Sequence, residues 1–275
     1  MSSIDAFSKK LSDRLESCNS GLNWITSSKA TLAPLARRQH FSGVAHADSA
    51  FLRLTLGKPP PMTWLSRLIP GAHPPVQLAP EIRARLDAWR KLPETALTSQ
   101  HAETRYVIVN TEASGLDLSK DRLLSVAAIA IEGGLIDPKL AFYQSLEPDP
   151  ADALTGLLEF IGNSPIVVFN AGFNKRVILN AIERVLDVEP ELHCIDLYWL
   201  LPALFAERGQ SASKLTDWMN ALRIETFQRH HALGDGYAIA QLFLATQARG
   251  RLLGHSTPQA LIELEHARQR LKRPL

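Results

Sequence analysis

Cysteine is scarce in this chain: of 275 residues only Cys18 and Cys194 carry thiols, with no CxxC pair and no zinc-ligand spacing. That excludes a disulfide framework and a structural zinc site, and leaves two ordinary reduced thiols. Long apolar runs are missing as well. No stretch reaches the roughly 18 residues a membrane helix needs, and residues 1–10 lack the apolar core of a signal peptide. A membrane is therefore not an expected partner, and the expected location is cytoplasmic. A phosphate-binding loop is absent too, because no glycine stands five residues before Gly57 and Pro59 follows Lys58.

Net charge is only +2, but it is segregated along the chain. Residues 1–95 hold 13 Lys+Arg against 7 Asp+Glu, and residues 249–275 hold 6 against 2, which leaves 11 against 19 for residues 96–248. An acidic centre thus carries two basic arms. Such arms either anchor a phosphate backbone or a protein partner, or are solvated helix faces beside an acidic domain.

The first 95 residues show no strand alternation and are broken by Pro59, Pro60, Pro61, Pro70, Pro74, Pro75 and Pro80. Short helices joined by stiff linkers are expected. One helix follows Pro80, with Ile82, Leu86 and Trp89 at helical spacing and Arg83, Arg85 and Arg90 between them; it is expected to pack on the main domain. From Arg105 the texture becomes α/β. Strands are expected at 106–110, 123–131, 140–146 and 166–169, the first three as an antiparallel meander with a tight turn at Gly133-Gly134. Helices are expected at 152–161, 175–186, 197–205, 212–222 and 234–247. A last one opens at Thr257-Pro258 and ends in basic residues. The expected division is a helical, proline-interrupted basic extension over 1–100, a main domain over 101–248 and a basic helix over 249–275. Trp89, Trp199 and Trp218 fall in helical patterns and are expected in the core rather than as stacking platforms.

Four residues at expected element ends could carry chemistry. Asn110 and Glu112, two apart at the end of the first strand, project from one face. Asn174 starts the helix after the turn Asn170-Ala171-Gly172, and Asp235 opens the helix that follows His230-His231. Element ends are where α/β folds build their sites. Asp196, at a strand-to-helix junction after His193, reads as a helix cap.

Taken together, these segments fit a pattern. Val107-Ile108-Val109-Asn110-Thr111-Glu112-Ala113-Ser114-Gly115-Leu116 resembles the first motif of the DEDDh 3′–5′ exonuclease family, Asp-x-Glu-[Thr/Ala]-[Thr/Ser]-Gly, with its first aspartate changed. Val168-Phe169-Asn170-Ala171-Gly172-Phe173-Asn174 resembles the second, His-Asn-Ala-x-Phe-Asp, with Phe169 replacing the histidine and Asn174 the aspartate. His230-His231-Ala232-Leu233-Gly234-Asp235 resembles the third, His-x-Ala-x-x-Asp, without change. The resemblance covers about residues 105–248 and implies a ribonuclease H-like mixed sheet flanked by helices, of the type found in the proofreading epsilon subunit of DNA polymerase III.

In that family four carboxylates hold two divalent ions, Mg²⁺ or Mn²⁺, and a histidine acts as general base. The resemblance assigns Glu112, Asp235, Asn110 and Asn174 to the metal positions, and Glu112 and His230 to catalysis. It also brings Thr111, Ser114, Gly115, Asn170 and Phe173 against a single-stranded nucleic acid or its 3′ end. Two departures stand out. Amide oxygens coordinate without charge, so two carboxylates leave two divalent ions with an excess of +2 and only weak or absent metal binding is implied. The family's His-Gly-Ile segment after the third strand is missing, since Ser145-Leu146-Glu147-Pro148-Asp149-Pro150 runs directly into the next helix. Three functional readings follow: a protein that engages nucleic-acid ends with weakened or lost hydrolysis, an active exonuclease using Glu112, Asp235 and His230, or a protein-interaction scaffold.

Overall fold

The computed structural model describes residues 77–208 and 214–272, the last without its side chain. The expectations for residues 1–76 lie outside the described residues. The described residues form one compact unit.

Its centre is a five-stranded mixed sheet in the order β3-β2-β1-β4-β5. Strands β1 (Tyr106–Ala113), β2 (Leu123–Glu132) and β3 (Leu135–Ser145) form the expected antiparallel meander, whereas β4 (Ile166–Val168) and β5 (Cys194–Asp196) run parallel to β1. β2 is buried on both faces, which is why its apolar residues run almost without a break. β3 starts five residues earlier than its hydrophobic pattern suggests. Glu132 pairs with Leu135 around Gly133-Gly134, whose φ of 58° and 75° suit a tight hairpin, and the following Asp137-Pro138-Lys139 is tolerated because β3 is an edge strand.

Helices cover both faces. On one side lie α1 (Pro80–Trp89), α2 (Pro150–Ile161) and α3 (Asn174–Leu186), whose Leu86, Leu154, Leu158, Val177 and Ile178 join Val107 and Val109 of β1 in one apolar cluster. Asp149 caps α2 by accepting from the Asp152 N–H at 3.0 Å, and Pro150 occupies the first turn where no donor is needed. The helix after Pro80 packs on α2: Ile82 and Leu86 are buried, Arg85 binds both Glu159 and Asp152, and Trp89 donates to the Gly162 carbonyl at 3.1 Å. On the other side lies α6 (Ala232–Leu252), against the Tyr106 and Ile108 face, with Tyr106 edge-on to Phe243.

Three further helices complete the unit. α4 (Leu197–Leu204) and α7 (Pro258–Lys272) pack on each other, and α7 also lies against β5; α5 (Leu215–Leu222) packs on α6. Trp218 is fully buried, whereas Trp89 and Trp199 are half-buried at the margin of the core. α6 begins at Ala232, two residues before the expected start, and Asp235 is the fourth residue of its first turn. The cap is His231, whose Nδ1 accepts from the Leu233 N–H at 3.3 Å.

Candidate nucleic-acid site

Parallel strands β1, β4 and β5 end on the same edge of the sheet, and α3 and α6 both begin there. Alternation along β1 sends Asn110 and Glu112 toward α6 and Thr111 toward α3. Each then meets the start of its helix. Glu112 accepts from the Ala232 N–H at 2.9 Å through Oε1 and from the Ser125 hydroxyl at 2.7 Å through Oε2. Asn110 donates through Nδ2 to the Ala232 carbonyl at 3.1 Å. On the other face Thr111 donates to Oδ1 of Asn174 at 2.6 Å, and Asn174 Nδ2 donates to the Phe169 carbonyl at 2.7 Å. The first and third sequence motifs are thus joined at Ala232, and the first and second at Thr111.

Ala232 reaches β1 because the helix start is pressed close to the preceding loop. A Cβ on Gly234 would stand 1.9 Å from the Gln228 carbonyl oxygen, so only glycine fits there. Asp235 follows in that first turn with its side chain 13% exposed. Burial pushes its carboxyl above the usual carboxylate range, Arg229 and the His230 backbone N–H draw it down, and neighbouring Glu112 pushes it up. Asp235 and Glu112 are therefore electrostatic neighbours. His230 itself is exposed, in a left-handed turn conformation with φ of 57°.

The flanking candidates are placed less uniformly. Ser114 is exposed and donates to Asp121 at 2.8 Å, and the same carboxylate fills the space beside Gly115. Asn170 is exposed, with φ of 66°, a conformation asparagine tolerates well. Phe173 is half-buried against the apolar cluster just before α3.

Three residues that hold this edge together had weak or no sequence signals. Asp196 caps α4 as expected, accepting from the Tyr198 N–H at 2.9 Å, but it also accepts from the N–H groups of Asn170 and Ala171, both at 2.8 Å. The turn leading to Asn174 is fixed by that carboxylate. Glu265 of α7 in turn accepts from the Asp196 N–H at 2.8 Å. Glu265 was missed, and so was Arg229, whose Nε lies 3.3 Å from Asp235 Oδ1.

The donor set does not fit a two-ion centre. It offers two carboxylates and two neutral amides, and among the described residues no three His, Cys, Asp or Glu side chains are grouped to hold a metal. Two hollows, of about 70 Å³ and 360 Å³, lie at the opposite end of the sheet around Glu94, Asn163 and Glu191 and contribute nothing here. Among the described residues no helix is long and apolar enough to cross a membrane.

No family model matches the chain. It is similar to the PolC-type DNA polymerase III of Thermotoga maritima, 25% identical over 169 residues, and to that of Bacillus subtilis, 28% identical over 168. These matches take in 53% and 52% of this chain but only 12% and 11% of those polymerases. Among solved structures it is similar to Escherichia coli exonuclease I in a zinc-bound complex with single-stranded DNA, with a TM-score of 0.46, 16% identity, and coverage of 55% of this chain and 42% of that one. It is also similar to the nuclease domain of 3′hExo, a DEDDh family member bound to rAMP, with a TM-score of 0.41, 14% identity, and coverage of 55% and 96%. With the three motif segments joined at one edge of a helix-flanked mixed sheet, the chain has a ribonuclease H-like fold similar to that of DEDDh exonucleases.

Proposed function

We propose that this domain engages the 3′ ends of single-stranded nucleic acid and that its hydrolytic step is weakened or lost. One observation carries the reading: Asn110 and Glu112 both bond to Ala232 while Thr111 bonds to Asn174, so residues from all three motifs meet at one sheet edge with only two carboxylates among the four ligand positions. Two of those positions are neutral, so phosphate meets less repulsion there than at four carboxylates. The same neutrality withdraws the ligands that would hold Mg²⁺ or Mn²⁺ firmly, leaving weak binding at most. When bound, such ions supply a hydroxide nucleophile and a clamp for the scissile phosphate. The chain's own residues would contribute the rest: Glu112 and Asp235 supply the remaining negative charge, exposed His230 takes the general-base position, and Ser114, Asn170 and Phe173 border the strand's path. Basic residues in the 1–100 and 249–275 segments would add phosphate or protein contacts.

A second reading has its own support, because Glu112, Asp235 and His230 are brought together at the start of α6, as a working exonuclease would need. Digestion of a labelled single strand with Mg²⁺ or Mn²⁺, beside an Asp235→Ala control, separates the two. Binding without digestion, weakening steeply as salt rises, is the expected outcome. Digestion that disappears in the control would establish the active enzyme, and absence of binding would overturn both.

A further inference from the structure

Arg229 stands where a cation is needed. Its Nε lies 3.3 Å from Asp235 Oδ1, an oxygen that is buried and has no hydrogen bond of its own. The guanidinium is not a loose surface group: one terminal nitrogen donates to Thr216 Oγ1 at 3.0 Å and the other to the Met219 sulfur, so α5 holds it in place. The Glu112 and Asn174 oxygens are also engaged from within. Glu112 accepts from Ala232 and Ser125, and the Asn174 oxygen accepts from Thr111.

We propose that Arg229 is the resident counter-cation of this site, neutralising Asp235 so that the remaining carboxylates are stable without a divalent ion. A planar guanidinium suits the task because it stays charged at any working pH and several of its donors can be anchored at once. An ion of charge +2 approaching Asp235 would meet a fixed positive charge as well as a reduced ligand set. Substituting Asn110 and Asn174 back to aspartate would then restore only part of the affinity for metal. The inference rests on reading the site as a modified exonuclease centre, yet it is tested without nucleic acid, so its failure and the failure of strand binding are separate results.

The test is Mn²⁺ binding to the full chain, read from the paramagnetic resonance signal of the free ion. The proteins are wild type, N110D/N174D, and N110D/N174D carrying either R229Q or R229K. Wild type is expected to bind Mn²⁺ at best in the millimolar range, the double variant more tightly, and the R229Q triple variant roughly tenfold more tightly again, as removal of one nearby positive charge implies. The R229K triple variant keeps the charge and should fall back to the double variant, which distinguishes electrostatics from a loosened loop; circular dichroism confirms that each variant is folded. Equal Mn²⁺ affinity with and without Arg229, or tight binding by wild type, would overturn the proposal.

Discussion

Glu265 is the best place to test the energetics of the site's supporting layer. It lies on α7, is 6% exposed, and binds the Asp196 N–H with Oε2 and the Gln269 side chain with Oε1, both at 2.8 Å. Burial pushes its carboxyl up to about 7 from the ordinary 4.5; the Asp196 charge adds to the rise, while the Asp196 N–H and Lys175 oppose it. The folded form therefore holds a proton that the unfolded chain has already released between pH 4.5 and 7. Stability must fall as pH rises through that window and level off above it. At about 1.4 kcal/mol per pH unit, the gap is worth at most about 3–4 kcal/mol. Glu265→Gln removes the ionisation but keeps an oxygen for the Asp196 N–H, and Gln269 can turn its amide to accept from the new side chain. Urea unfolding followed by circular dichroism should find the variant within about 1 kcal/mol of wild type at pH 5. At pH 8.5 it should be more stable by about 2–3 kcal/mol. Parallel pH profiles for the two proteins would refute the assignment of a neutral buried carboxyl to this position.

Two further substitutions probe the edge itself. Gly234→Ala places a methyl 1.9 Å from the Gln228 carbonyl, so the start of α6 must shift; a loss of about 2 kcal/mol or more is expected in urea unfolding, together with weaker strand binding because Ala232 anchors Glu112 and Asn110. Asp196→Ala strips three backbone N–H groups of their acceptor, at about 1–3 kcal/mol for each that stays dry. Amide hydrogen exchange should accelerate at Asn170 and Ala171, whereas protection unchanged at both would show that the turn is held by something else.

What could be read from sequence follows the length scale of each interaction. Hydrophobic periodicity located β1, β2 and the cores of α2, α3 and α6 because each buries a full face of its own pattern. It missed the first half of β3, where an edge strand needs no second buried face and Asp137, Pro138 and Lys139 break the alternation. It also started α6 late, because His231 is an uncommon cap and Ala232 is buried by contact with β1 rather than by the helix's own stripe. The site divides in the same way. Asn110, Glu112, Asn174 and Asp235 were legible because each sits at an element end at short, fixed spacing within its motif. Arg229 and Glu265 act across the fold, one between α5 and α6 and the other from α7 to the start of α4, and such pairings leave no mark in local spacing. A changed ligand can thus be noticed in the sequence as a missing negative charge at Asn110 and Asn174, but what balances the carboxylates that remain depends on a long-range contact. Beside Asp235 that contact is a guanidinium which α5 keeps in position, and on the proposal above it supplies positive charge where a metal ion would otherwise balance the carboxylate.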